Sequence, residues 1–126
     1  MVESWALALP GGAAVVSAEN VTELLRARIA DGALESVLES ASGRALFVVS
    51  NTGRAMVMLL EHPGDPGEHA TDPDAEGWSD GYVLANGQED EYPDADTVPL
   101  AEGLRVVRHI LATGRPPSDA SWTVDR

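Results

Sequence analysis

Short apolar runs separated by turn residues fill the first half of the chain. Residues 5–9 alternate weakly in hydrophobicity, a Pro-Gly-Gly break follows, and residues 13–16 form a second apolar run. This pattern predicts two strands or one hairpin. Two longer runs, residues 44–50 and 54–60, flank an Asn-Thr-Gly turn. They predict an antiparallel hairpin in the middle of a sheet.

A first helix is predicted from residue 21 onward. Asn20 precedes Glu23 by three positions, the spacing of a capping box in which each side chain satisfies a free backbone N–H of the other. Apolar residues then recur at helical spacing, and after an Asp-Gly interruption the stripe resumes at Leu34, Val37 and Leu38. The pattern therefore predicts one broken helix or two short ones.

A second helix is predicted between Pro99 and Gly114. Pro suits the first turn of a helix, where its missing N–H would be unpaired in any case. One face carries apolar side chains, and charged or polar side chains lie around the rest. Gly114 is expected to end the helix as a left-handed cap, and the two prolines at 116 and 117 cannot continue it.

The remaining segments complete an α+β prediction. Residues 61–77 are rich in Pro, Gly, Asp and Glu and predict a solvated loop. Residues 78–85 and 88–92 flank an Asn-Gly turn and predict a second hairpin. Residues 121–124 predict a last short strand. We expect one domain over residues 1–126, with an antiparallel sheet of about five to six strands and two main helices packed on one face.

The negative charge is concentrated in one third of the chain. Residues 61–102 contain thirteen Asp or Glu and no Lys or Arg, whereas the rest carries eight acids and eight Arg, so the net charge of −13 arises in this acidic segment. A field of one sign acts on partners by steering and complementarity. The sequence therefore predicts a basic partner.

Composition excludes several function classes. The chain has no cysteine, hence no disulfide and no thiolate nucleophile or metal ligand, and the reducing cytoplasm is the expected compartment. No secretory signal and no membrane-spanning run are apparent, so we expect a soluble protein without a membrane partner. The scattered Arg disfavour direct binding of nucleic acid, which needs clustered basic residues.

Candidate metal ligands occur in the acidic segment but do not form a known pattern. Asp72, Asp74 and Glu76 are spaced two apart, yet the calcium-loop pattern fails because Val83 stands at its twelfth position. His62 and His69 lie seven apart in a Gly- and Pro-rich segment without an evident third ligand. We expect a solvated acidic loop with exposed histidines, and no metal or other cofactor.

Catalytic patterns are equally weak. The sequence has no Gly-x-Ser-x-Gly elbow and no phosphate-binding glycine loop, and His109 is expected to be a partly exposed residue on a helix flank. Paired carboxylates carry little information in so acidic a chain. We therefore expect that the protein is not an enzyme.

Aromatic residues interleaved with acids give the best binding candidate. In protein interfaces, exposed aromatic residues commonly supply most of the affinity, and the charged residues around them raise the association rate. The alternative is that the rings belong to the core, which the sequence favours for Trp122 and leaves open for the hairpin. The predicted partner-binding residues are Trp78, Asp80, Tyr82, Glu89, Asp90, Glu91 and Tyr92.

The C-terminal third resembles a known family. Tyr-Pro at 92–93, an acidic spacer, Val-Pro at 98–99, a helix, and then Gly114, Pro116 and Trp122 together resemble the Imm-type immunity proteins of bacterial polymorphic toxin systems. That resemblance implies an α+β fold with a signature Trp and Gly-x-Pro motif, and a gene beside a nucleic-acid deaminase toxin. Such signature residues are expected to hold the fold and need not touch the toxin.

Three function classes follow from these observations. The leading expectation is an immunity protein that binds and neutralises a cognate toxin, of the nucleic-acid deaminase or another nucleic-acid-targeting class, through its acidic surface. The second is a non-catalytic regulatory or assembly module that pairs with itself as a homodimer or binds another basic protein. The third, a metal-dependent or small-molecule enzyme, would need a deep pocket gathering His62, His69 or His109 with carboxylates.

Overall fold

A computed structural model of the chain describes residues 3–126 as an α+β fold of two helices and ten strands. The helices are α1 (Val21–Ala30) and α2 (Leu100–Thr113), and a short 3₁₀-helix covers Asp94–Asp96. The strands are β1 (Trp5–Leu9), β2 (Gly12–Val16), β3 (Glu35–Ser40), β4 (Ala45–Ser50), β5 (Arg54–Leu60), β6 (Glu68–Ala70), β7 (Trp78–Val83), β8 (Glu89–Pro93), β9 (Val98–Pro99) and β10 (Trp122–Val124).

Eight of these strands form one antiparallel sheet, the main sheet. Its order is β10-β6-β5-β4-β3-β1-β2, and β9 pairs with the opposite end of β5 from β6. The β4–β5 hairpin lies in the middle, as the sequence predicts. Strands β7 and β8 form a separate two-stranded sheet. We call this pair the acidic hairpin.

Side-chain alternation gives the main sheet two different faces. Leu46 and Val48 of β4 pair with Leu59 and Val57 of β5, and all four are at most 1% exposed. They belong to one core cluster that also contains buried residues of both helices. Both helices therefore pack on the same face of the sheet, which we call the helix face, and the opposite face is the outer face.

Helix α2 covers the centre of the helix face. Its apolar stripe buries Gly103, Leu104, Val106, Val107, Ile110 and Leu111. Gly103 allows the close approach, because a Cβ atom there would lie 3.1 Å from the Cβ of Ala55 and 3.3 Å from Cγ2 of Val57. The helix begins one residue after Pro99 and ends at Gly114, whose φ of 82° is the left-handed cap that the sequence predicts.

Three hairpins and the start of α1 agree with the sequence patterns, whereas Pro99 precedes α2 as its cap residue instead of lying in its first turn. The predicted strand count was wrong. Residues 3–126 form ten strands instead of five to six, because strands as short as the three-residue β6 and the two-residue β9 carry too few apolar residues to show a period. Strand β6 lies inside the segment predicted as a solvated loop. It pairs with both β5 and β10, and its Ala70 is 1% exposed.

The continuation of the first helix was also wrong. Residues 35–40 form β3, in which Ser36 and Leu38 face the core. Ser36 breaks the apolar alternation, and its hydroxyl accepts a hydrogen bond of 2.9 Å from Nε of Arg28. The capping box is absent as well, since the Oδ1 atom of Asn20 accepts from the backbone N–H of Ser17.

Neither of the two helices within residues 3–126 combines the length and the apolar composition that crossing a bilayer requires.

Replacement of Gly103 by Val should destabilise the fold by about 1–3 kcal/mol, because the added atoms overpack the contact between α2 and β5. Urea unfolding followed by circular dichroism measures the change. Val at the exposed position Ala112 of the same helix is the matched control and should cost less than about 1 kcal/mol of helix propensity. Equal losses at the two positions would contradict close packing at Gly103.

Candidate functional site

The acidic hairpin packs on the outer face of the main sheet. Tyr82 of β7 and Val49 of β4 are 0% and 1% exposed, yet neither belongs to the core cluster on the helix face, and β7 contacts β4. Two hydrogen bonds fasten the hairpin to the sheet: Nδ2 of Asn51 donates to the carbonyl of Asp80, and the N–H of Ala85 donates to Oε1 of Glu35. The molecule therefore has a third, local layer at this place.

The predicted partner-binding residues separate onto the two sides of this hairpin. Tyr82, Asp90 and Tyr92 share the side that faces the main sheet, because Tyr82 pairs with Asp90 and the two tyrosine rings lie 4.7 Å apart between centroids. The exposed set consists of Trp78, Asp80, Glu89 and Glu91. We call these four residues the acidic hairpin face.

Tyr82 and Tyr92 are structural residues of the hairpin. Tyr82 is fully buried, so the expectation that it contacts a partner directly was wrong. Tyr92 donates a hydrogen bond of 3.0 Å to Oδ2 of Asp90, and burial together with this carboxylate raises the pKa of Tyr92 to about 12. A β-bulge between Ser79 and Tyr82, with Gly81 at a φ of 86°, turns the Tyr82 ring toward the sheet.

Trp78 is the one aromatic residue of the predicted set that lies open to solvent. Its exposed fraction is 66%, the largest among the aromatic side chains in the described part of the chain. It pairs with Pro93 across the hairpin, on the side where Glu89 and Glu91 are exposed. A large apolar ring is thus presented among carboxylates.

Arginines from outside the acidic segment neutralise part of its charge. Within residues 3–126, seven of the thirteen acids lie within 4 Å of an Arg or His nitrogen: Glu61, Asp65, Glu68, Asp72, Asp94, Asp96 and Glu102. The six that make no ion pair in that range all lie between positions 74 and 91: Asp74, Glu76, Asp80, Glu89, Asp90 and Glu91. The uncompensated negative charge of the acidic segment is therefore centred on the acidic hairpin.

Exposed Arg without a carboxylate partner occur on the other side of the molecule. Arg26 and Arg108 lie on α1 and α2, and Arg115 follows α2; none of the three makes an ion pair within residues 3–126. Both helices pack on the helix face, opposite the hairpin. Glu19, Glu23 and Asp31, at and beside α1, are exposed and make no ion pair in that range either, so unpaired charges of both signs occur on this side while those of the acidic hairpin are all negative.

Arg54 connects the acidic segment to the sheet. Its Nε donates to Oγ1 of Thr97 at 2.8 Å, and its Nη2 lies 2.8 Å from Oδ2 of Asp72 and 3.1 Å from the carbonyls of Asp94 and Thr97. Asp94 in turn accepts from the hydroxyl of Ser79 in β7. One guanidinium therefore holds the segments before and after the hairpin against β5.

His69 joins three parts of the chain. Its two ring nitrogens lie 2.8 Å from Asp125 and 3.0 Å from Asp96, and its side chain is 13% exposed, so the prediction of an exposed histidine was wrong here. Burial alone would lower the pKa of His69, but the hydrogen bonds with Asp125 and Asp96 outweigh it and raise the pKa. Because both nitrogens are engaged, this imidazole has none left for a substrate or a metal.

The other candidate ligands and bases lie apart. His62 is exposed, as predicted, and Nδ1 of the partly exposed His109 donates to the carbonyl of Arg115. Among residues 3–126, no group of three or more His, Asp or Glu has the geometry of a metal site. Asp65 is 2% exposed, and the hydrogen bonds that it accepts from Arg126 hold its pKa well below the usual range.

The residues of the family resemblance have structural contacts. Gly114 caps α2, and its N–H donates to the carbonyl of Ile110 at 2.7 Å. Trp122 is partly buried against the core, pairs with Ala70, and donates from Nε1 to Glu68. Pro116 follows the cap and is half-buried. These positions are consistent with a role in holding the fold.

A scan against protein-family models and a search among curated proteins found no match to this chain. The resemblance to immunity proteins therefore rests on the sequence pattern alone.

Replacement of Arg54 by Met should loosen the acidic segment from the sheet. The variant loses charge-assisted hydrogen bonds at a partly buried position, and we expect a loss of about 2–4 kcal/mol in the free energy of unfolding. Hydrogen exchange should rise most in residues 72–79 and 94–97. Arg105→Met, which removes an exposed ion pair with Glu102, is the control and should change stability little. Uniformly raised exchange throughout the chain would contradict a local anchor.

Stability should fall with rising pH through the titration of His69. The folded pKa lies above the unfolded value of about 6.5, so the ion pairs stabilise the fold fully below that value and are lost as the pH rises through the folded pKa. Urea unfolding over a pH series should show this step, and His69→Gln should abolish it. His62→Gln, at an exposed position, should retain it. A titration of His69 below about 6.5, measured by NMR, would refute the assignment.

Proposed function

We propose that this protein is a non-catalytic immunity protein that binds a cognate toxin through the acidic hairpin face. The observation that carries the proposal is the 66% exposed Trp78 standing among carboxylates that have no ion-pair partner within residues 3–126. An exposed aromatic ring supplies contact area, and uncompensated charge supplies steering toward a basic surface. The alternative use of these acids, solubility, would not require an exposed Trp among them.

Fixation of the hairpin favours tight binding. The contacts of Asn51 with Asp80 and of Ala85 with Glu35, together with the Tyr82–Tyr92 ring pair, hold it against the sheet before any partner arrives. A binding face that is already ordered loses less conformational entropy on association. This supports a stable inhibitory complex more than a transient contact.

The toxin class follows from charge and from the resemblance. A toxin that acts on nucleic acid presents a basic cleft to the phosphate backbone, and an acidic face can occupy such a cleft in place of the phosphates. The pattern that includes Gly114, Pro116 and Trp122 resembles immunity proteins found beside deaminase toxins. We propose a nucleic-acid deaminase, or another toxin that targets nucleic acid, as the partner.

A second candidate function is a regulatory or assembly module that pairs with itself or with another basic protein. The uncharged strand β2 at the edge of the main sheet favours self-pairing. The reading frame beside the gene distinguishes the two: a toxin there supports the first function, and its absence favours the second.

Substitutions on the acidic hairpin face should weaken the complex with the neighbouring toxin domain. Trp78→Ala should raise the Kd by about 30-fold or more, the effect of losing a central aromatic anchor. The double variant Glu89→Gln/Glu91→Gln should slow association by about tenfold and reduce its dependence on salt. Biolayer interferometry at low and high salt measures both constants.

The matched control is Glu19→Gln/Glu23→Gln, which makes the same change of net charge at exposed positions before and within α1, on the other side of the sheet. It should leave association nearly unchanged. If the two double variants behave alike, net charge alone acts and the hairpin is not the docking surface. No detectable binding at either salt concentration would remove the proposal.

A further inference from the structure

The two edges of the main sheet differ in how they are protected. At one edge, β10 has only three residues and is followed by Asp125 and Arg126. Short length and nearby charge are the usual devices that prevent pairing of an edge strand with another chain. At the other edge, β2 has five residues, Gly-Ala-Ala-Val-Val, with no charge and no proline. It lacks these devices.

The register shows which backbone groups of β2 are free. The backbone carbonyl of Ser4 accepts a hydrogen bond from the N–H of Ala41, on the β3 side of β1. Because backbone groups of successive residues point to opposite sides of a strand, those of Trp5 and Leu7 point to β2. Their partners there are Val16 and Ala14. The N–H and C=O groups of Ala13 and Val15 therefore point away from β1, to an edge that pairs with no strand in residues 3–126.

The side chains at this edge are small and uncharged. Val15 is 81% exposed on the outer face, and Ala13 is exposed beside it. The unpaired carboxylates of the acidic segment lie at positions 74–91, and the hairpin that carries most of them packs against β4, three strands inward from β2 in the sheet order. The unpaired carboxylate of Glu19 follows β2 but lies outside the strand itself. A chain of net charge −13 thus retains one neutral edge at which a second copy is not directly opposed by charge.

We propose that β2 pairs antiparallel with β2 of a second copy of this chain, about a two-fold axis at Ala14. In that register Ala13 of each copy lies opposite Val15 of the other, and the outward groups of both form four hydrogen bonds. The arrangement is self-complementary, as a two-fold interface requires. It joins the two main sheets into one continuous sheet.

A groove beside β2 fits this register. It has a volume of about 400 Å³, and its lining includes the apolar residues Trp5, Val16 and Leu111 together with the acids Glu3 and Glu19. In the two-fold register, the residues before Gly12 of one copy lie beside those after Val16 of the other. The uncharged turn with the 39% exposed Leu9 therefore reaches the partner's groove.

The dimer would present both acidic hairpins on one side. A two-fold axis perpendicular to the sheet keeps the outer faces together, and seven strand spacings of about 4.8 Å separate the two β4 strands, roughly 34 Å in all. This inference does not depend on the proposed toxin partner. It assigns a second interaction surface, on a different edge of the fold.

Sedimentation velocity over a concentration series tests the pairing. The wild-type chain should show a reversible dimer, and Val15→Pro should weaken it about tenfold to a hundredfold, because the symmetric dimer loses two of its four hydrogen bonds. The Val15 N–H points outward, so the substitution leaves the β1–β2 hydrogen bonds intact. Thr123→Lys, on the opposite edge, is the control and should leave the dimer unchanged.

The absence of cysteine allows a test of the register itself. Ala14 would face its own copy across the axis in a non-hydrogen-bonded pair, where Cα atoms about 4.5 Å apart permit a disulfide. Ala14→Cys should therefore cross-link under mild oxidation, and Thr123→Cys should not. A monomer at all concentrations, a dimer that Val15→Pro does not weaken, or equal cross-linking at both cysteines overturns the proposal. The proposal is also overturned if β2 pairs with a strand of another protein instead of with β2 of a second copy.

Discussion

The guanidinium of Arg54 holds the acidic segment against the main sheet, and this segment is the part of the molecule that is added to two helices packed on a sheet. Arg54 begins β5 on the outer face, while its neighbour Ala55 is buried in the core. It binds Asp72 and Thr97 and the carbonyl of Asp94, which lie on either side of the acidic hairpin in sequence. Because like charges repel, a segment with thirteen acids and no Lys or Arg needs cations supplied from elsewhere to become compact. Arg54, Arg44 and Arg126 supply them.

The placement of those cations decides which acids remain available. Arg126 engages Asp65 and Glu68, and Arg44 engages Glu61, so the acids near the β5 and β6 end of the sheet are occupied. Within residues 3–126, the carboxylates of the acidic hairpin make no ion pair with an arginine. The proposed binding surface is thus the region in which arginines no longer neutralise the carboxylates, and the count of acids in the sequence alone does not show this boundary.

The sequence predicts those elements that are encoded locally. The β4–β5 hairpin and α2 carry strong apolar periods and clear turn or cap residues, and both are found where expected. Strands β6 and β9 have only three and two residues, and they form because they pair with β5, and in the case of β6 also with β10. Strand β3 was mistaken for helix because a buried Ser36 interrupts its alternation.

The candidate site was predictable in composition but not in orientation. Aromatic and acidic residues do meet on β7 and β8, yet Tyr82 turns inward through a one-residue bulge at a glycine and Trp78 stays outside. The convergence of Asp72 and Thr97 on Arg54, over 18 and 43 residues of chain, is a tertiary event without a local signal. Both features depend on the packing of the acidic hairpin against the outer face, and the hydrophobic periodicity of the sequence does not predict this third layer.

The uneven distribution of unpaired charge over the two sides of the main sheet gives the molecule a permanent electric dipole. Within residues 3–126, the unpaired charges of the acidic hairpin are all carboxylates, whereas along the helices unpaired arginines are offset by the unpaired Glu19, Glu23 and Asp31. In the field of a charged macromolecule such a dipole experiences a torque before the surfaces meet. The rotational search for the docking orientation is then shortened, because most approaching molecules already direct the acidic hairpin toward the partner when contact begins.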